Sequence, residues 1–237
     1  MKFHKIVLTA ILLLGTVAFQ IAAAEPKPVE MAADVIEYDA ATGVMTGRGG
    51  VTFTQADAVL TGANATYNTK TKEAHITGGI KLVRADTVLT AEEMRSYEDN
   101  HIIASGGIEL TKGDSRLTGP QLDYYIDKAY AIVNQDARLA MPDGMMTADK
   151  MEAYMDTNQV TGTGNVHIVS ETRKLDATSH QAVYYGSKEG QARAVLTGNA
   201  RAVQDGNVLT GNKLTIYLDD QAKSARGGDG QLVIQPQ

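Results

Sequence analysis

A chain of 237 residues with 43% hydrophobic residues is long enough to bury a sizeable core, and with no Cys it has neither a disulfide framework nor thiol chemistry. Its formal charge of −6 argues against nucleic acid as a partner. Losing Lys2 and Lys5 with a leader would leave 20 basic against 28 acidic residues, a net of −8.

The chain opens with Lys2 and Lys5, an apolar run from Ile6 to Phe19, and Ala22-Ala23-Ala24. This is the pattern of a secretory signal peptide cut near Ala24. The organisation predicted is a signal peptide over 1–24, a tether over 25–30 carrying Pro26 and Pro28, and one repeat domain over 31–237. An uncleaved membrane anchor over residues 6–22 is the alternative at this end. No second apolar run reaches the ~18 residues that span a bilayer.

Asp34 to Tyr38 reads as the first strand, turned by Asp39–Gly43 and answered by Val51 and Phe53 on a returning strand. The next unit repeats this, with Asn68–Lys72 as its turn and Ile80/Leu82 returning. Thereafter Leu-Thr-Gly or a close variant recurs at Leu60, Leu89, Leu117, Met146 and Leu209, with spacings of 29, 28, 29 and 63. A weaker copy starts at Leu175, and a Tyr follows most copies. A fixed period of this length signals a repeat architecture.

Between these sites runs a second column, seen at Gly49-Gly50-Val51-Thr52-Phe53, Gly78-Gly79, Gly106-Gly107, Gly164-Asn165 and Gly198-Asn199. Its apolar-polar-apolar alternation marks half-buried strands. The prediction is all-β, with about fourteen antiparallel, bent strands in seven units of ~29 residues. Leu209 and Leu214 are five apart, so if both face inward an extra residue or kink is expected at Thr210-Gly211. Residues 149–155 are good helix formers, yet Met151 and Tyr154 align with Leu214 and Tyr217, so strand is predicted there too.

No catalytic constellation, cofactor motif or metal-ligand spacing is found. The four His beyond the leader read as surface or turn residues, and Asp57, Asp86, Asp114 and Asp143, each three residues before a repeat site, read as turn formers. The inward apolar positions either pack as a dry core or line a groove for an apolar ligand. At the far end Leu232, Val233 and Ile234 form an uncharged strand. It is expected to pair by strand addition with the first strand, carrying Val35 and Tyr38, of another copy or a related domain.

Ala33–Tyr38, Val195–Ala200 and Leu209–Tyr217 resemble the OstA-like (organic solvent tolerance) family, and the resemblance extends over residues 31–235. It implies a β-jellyroll with an apolar interior that works in the periplasm without enzymatic activity. Its cargo would be lipopolysaccharide, held by the lipid A acyl chains and moved from inner to outer membrane. Its partners would be itself or related OstA-like domains of inner- and outer-membrane export components. The lipid-lining positions carried over are Ile36, Phe53, Ile80, Leu82, Leu122, Tyr124, Ile168, Tyr184, Leu214 and Ile216. Two alternatives stay open: an inner-membrane-anchored docking subunit of the same fold, and a parallel β-helix that binds or acts on a surface polysaccharide.

Overall fold

The computed structural model describes residues 29–98, 100–186, 192–218, 225–228 and 231–233. The expected leader, residues 25–28 of the tether, most of the turn after Gly186, and Ile234 lie outside these. Glu30, expected in the tether, starts a strand.

The strands in chain order are β1 (Glu30–Ala32), β2 (Val35–Asp39), β3 (Val44–Gln55), β4 (Ala58–Asn68), β5 (Ala74–Arg84), β6 (Thr87–Ser96), β7 (His101–Lys112) and β8 (Ser115–Tyr125). They continue as β9 (Tyr130–Val133), β10 (Ala137–Met141), β11 (Gly144–Ala148), β12 (Lys150–Tyr154), β13 (Gln159–Ser170) and β14 (Leu175–Tyr185). The last are β15 (Arg193–Gln204), β16 (Asn207–Tyr217), β17 (Ala225–Gly228) and β18 (Gln231–Val233). The described ladders are antiparallel, which overturns the parallel β-helix alternative. Residues 150–154 are strand despite their helix preference, because Met151 pairs with Val133 on one side and Gly162 on the other.

Among the described residues, pairs of short segments share one longer neighbour or pair with each other end to end. β1 and β2 both lie along β3, β11 and β12 along β13, β9 and β10 along β12 and β11, and β17 and β18 along β16.

Two compact units divide the span read as one repeat domain. Unit 1 holds the described residues up to Gly113 together with Gln121–Ala129; unit 2 holds Asp114–Pro120 and everything from Tyr130 on. In unit 1 each of β3 to β6 pairs with the next strand in sequence. In unit 2 the same holds from β13 to β16. Two-residue turns such as Ala56-Asp57, Ala85-Asp86 and Asp205-Gly206 join many of these strands, and their first residues have φ of 55°, 49° and 49°.

The bend differs from the one expected. Register slips by one residue at the Gly-Gly and Gly-Asn sites, not at Thr210-Gly211. Between Thr77 and Ile80 on β5, β6 runs only from Glu93 to Ala91, and between Thr197 and Ala200 on β15, β16 runs only from Lys213 to Gly211. The extra residue therefore sits on β3, β5, β7, β13 and β15, and both residues of each pair have positive φ, from 45° at Asn165 to 88° at Gly107. The partner strands change parity instead: Leu60 and Ala65 on β4 are both buried although five apart. A bulge with an added residue bends its strand and sharpens the twist.

Candidate functional site

Alternation along bent strands sends one set of side chains to the inner face of each unit, and the register lines them up into rows that cross the strands. In unit 1, Phe53 lies opposite Leu60, Leu60 opposite Leu82, Leu82 opposite Leu89, and Leu89 opposite Leu110. Beyond the bulge a second row runs Ile36, Gly47, Ala65, Ile76, Met94 and Ala104. In unit 2 one row runs from Leu117 and Leu139 through Met146, Ile168, Ala177, Ala202 and Leu209 to Leu232. Another joins Val133, Met151, Gly162, Ala182, Leu196 and Leu214.

The third residue of each Leu-Thr-Gly triplet sits at the inside of the bend, which explains why it is Gly or Ala. A Cβ on Gly62 would lie 2.5 Å from Ile76 Cγ2, and one on Gly119 would run into Val133 Cγ1. Ala91 and Ala148 fill the equivalent corners and are buried, and on β14 the same register position is taken by the buried Ser179.

Of the sequence-predicted lining residues, Phe53, Ile80, Leu82, Leu122, Tyr124, Leu214 and Ile216 are buried, while Ile168 and Tyr184 are half-buried. Phe53, Ile80, Leu82, Leu122 and Tyr124 belong to unit 1, and Ile168, Tyr184, Leu214 and Ile216 to unit 2. Tyr184 pairs with Val160 and Ala194, which settles its register; Gly186 follows because a Cβ there would strike the Asn158 side chain. Burial pushes the Tyr67 and Tyr184 phenols up, with the Asp143 carboxylate adding to the effect at Tyr184.

Ile36 departs from the others. Its register puts it in an inner row, but it stands on the marginal strand β2 and is 49% exposed, with Val35 at 49% and Tyr38 at 48%. At the other end Leu232 and Val233 pair with Leu209 and Val208.

Sequence reasoning missed Leu60, Ile76, Leu89, Met94, Met146 and Leu196, all less than 2% exposed. Three of them open a repeat triplet, so the repeat itself was the signal. Their burial means that the inner face is closed to water at these positions.

The outer face carries the His residues, and three of them meet carboxylates instead of standing free at the surface. His75 lies 3.0 Å from Glu93, His101 3.2 Å from Asp123 and His167 3.3 Å from Asp176. The four repeat Asp occupy turns, where Asp57 and Asp143 meet Arg84 and Arg173 at 3.4 Å. Among the described residues no three His, Asp or Glu side chains gather as a metal site would require.

The hydrogen bond it accepts from His75, then that from Ser105, holds the Glu93 carboxyl below its ordinary 4.5. A carboxyl held low stabilises the fold above its unfolded pKa and gives that up as pH falls through the folded one. Glu93→Gln is therefore expected to lower Tm at neutral pH, with the gap to the native chain closing as pH drops below 4.5. Calorimetry across pH checks this; a gap that persists in acid would assign the loss to packing.

Bent antiparallel strands with a largely apolar, buried inner face and a polar outer face define an all-β protein. A profile of the family described as LptA/(LptD N-terminal domain) LPS transport protein matches residues 62–222, more than half of the chain. The chain belongs to this family, and its function lies in lipopolysaccharide transport. Among solved structures it is similar to the crystal structure of LptH, the LptA homologous periplasmic component of the conserved lipopolysaccharide transport device from Pseudomonas aeruginosa. Identity is 15% over 61% of this chain and 96% of that chain, with a TM-score of 0.30. No curated protein matches.

Proposed function

We propose that this chain is a non-enzymatic periplasmic component of a lipopolysaccharide bridge. It would hold lipid A acyl chains on the inner rows of its units and join end to end, with copies of itself or related domains, by strand pairing at β1/β2 and β17/β18. The observation that carries this reading is the set of unbroken inner rows, which in unit 1 reach the margin at Ile36 without a polar residue to stop them.

The energetics fit. An acyl chain of about twelve carbons costs on the order of 10 kcal/mol in water at ~0.8 kcal/mol per methylene, so it cannot cross an aqueous compartment bare. Rows of Leu, Ile, Val, Met and Ala offer similar wells at every strand, so a lipid pushed from one end meets no deep trap. Because the inner face is closed to water at these positions in the free chain, entry would need the two arms of the bent strands to part and admit the lipid.

Photo-crosslinkers test the polarity of the faces. Those at Ile36, Leu82 and Leu214 are expected to capture lipopolysaccharide, and those at the outward Lys81 and Thr215 are not. Equal capture at both sets would refute the assignment.

A further inference from the structure

Unit 1 holds a cavity that the proposed lipid rows leave unassigned. Where β4, β5 and β6 end, a cavity of about 220 Å³ has Thr66, Asn68, Glu73, His75, Arg95 and Tyr97 among its lining residues, together with Val44 and three residues of the inner face. Thr66, His75 and Arg95 lie opposite one another along the register, and the buried Tyr67, Ala74 and Ser96 of the neighbouring row also line the cavity, so it sits at the strand ends where the two faces meet.

One wall is held rigid. Tyr97 lines the cavity and also stacks on His101, with ring centroids 5.6 Å apart and planes 26° apart. His101 in turn stacks on Tyr125 at 4.3 Å and 4°, and Lys128 Nζ lies 5.2 Å from the Tyr125 ring centroid. Asp123, only 8% exposed, fixes the imidazole at 3.2 Å and itself accepts a hydrogen bond of 2.8 Å from Gln121 Nε2. A buried carboxylate on the outer side of a sheet, spent on orienting one imidazole between two tyrosines, makes a preorganised aromatic surface. The opposite wall is ordered too: His75 is held by Glu93 at 3.0 Å, and Arg95 stands 3.8 Å from the same carboxylate.

Charge selects the class of ligand. An anion would approach Arg95 but face Glu73 and Glu93, and a cation would meet the reverse. A neutral polyol suits the mixture, because each hydroxyl both donates and accepts a hydrogen bond and so satisfies carboxylate, guanidinium, amide and imidazole alike. The apolar face of a sugar ring covers a tyrosine ring. We propose that this cavity binds a saccharide, with one sugar ring seated on Tyr97 and its hydroxyls shared among Asn68, Glu73, His75 and Arg95. The sugar has two possible sources, the glycan of the transported lipopolysaccharide or a separate glycan.

The test is an amide-shift titration of the full chain with two probes, a lipid-free oligosaccharide prepared from lipopolysaccharide and N,N′-diacetylchitobiose. At least one is expected to shift the amides of residues 66–75 and 95–97. Tyr97→Ala should weaken that binding by about tenfold or more, equivalent to ~1.4 kcal/mol, and Arg95→Ala, at an exposed position, by several-fold. Tyr154→Ala in unit 2 should leave it unchanged, and melting curves identify any variant that has lost its fold. Response to the first probe alone assigns the cargo's own glycan, response to chitobiose alone a separate glycan, and response to both a general saccharide site. No shift with either probe at millimolar concentration, or binding indifferent to both Tyr97→Ala and Arg95→Ala, overturns the proposal. Lipid capture on the inner face is a separate readout, so failure here leaves that reading standing.

Discussion

Gly78→Ala is expected to destabilise the protein severely, whereas Gly79→Asn next to it is expected to be tolerated. Both glycines have positive φ, 85° and 74°, so propensity alone would rank the two changes alike. Space separates them. A Cβ on Gly78 runs into the Ala63 methyl on β4, while one on Gly79 meets nothing within 4 Å. The chain already makes the tolerated exchange itself, with Asn165 and Asn199 at the second bulge position in unit 2 at φ of 45° and 50°.

A left-handed alanine costs about 1–2 kcal/mol and the overlap about 1–3 more. With roughly 2–4 °C of Tm per kcal/mol for a domain of this size, Gly78→Ala should lower Tm by about 5–15 °C. Gly79→Asn should stay within about 0.5 kcal/mol. Adding Ala63→Gly to Gly78→Ala removes the collision but not the backbone cost, so only part of the loss should return. Equal melting of Gly78→Ala and Gly79→Asn would mean that the bulge does not hold the bend.

That bulge also shows where reading the sequence stops. On β5 the inner residues Ile76, Ile80 and Leu82 keep an even spacing across Gly78-Gly79, so nothing in their pattern announces an added residue. On β4 the change of parity between Leu60 and Ala65 does announce a kink, and Leu209 with Leu214 announces the same on β16. Which of two paired strands carries the extra residue is decided by the ladder, and no single strand contains that information. The recurrent Gly or Ala in the triplet is visible as a type, and its cause, the crowded inside of the bend at Ile76 and Val133, is visible only in three dimensions.

The inner face was largely legible because alternation and period name its residues directly. Its marginal strand was not. Ile36 and Ile76 occupy the same row, yet one is half exposed and the other fully buried, a difference set by the number of neighbouring strands rather than by residue type. The outer cluster was hidden for a similar reason: His101 finds Asp123 22 positions away, and His75 finds Glu93 18 away. Neither spacing matches a motif, because strand register alone brings the pairs together.

Asp placed at two positions, Leu196 and Ile36, should separate folding from assembly. Leu196 is 0% exposed between Ala182 and Leu214, so Leu196→Asp buries an unpaired charge in an apolar row. A loss above about 4 kcal/mol is expected, a large part of the ~5–15 kcal/mol that holds a typical domain together, and soluble folded protein should fall sharply. Ile36→Asp gives up only the buried half of one side chain, about 1 kcal/mol, and its melting curve should stay close to the native one. Its effect belongs to the end of the row. An inward charge on a marginal strand is how sheet proteins prevent further strand addition. Sedimentation velocity over a concentration series should therefore show native chains associating and Ile36→Asp remaining monomeric, with lipopolysaccharide capture by a Leu82 crosslinker reduced in the assembled system. If Ile36→Asp associates as the native chain does, β2 is not the joining strand, and the uncovered end of the inner row has some other use.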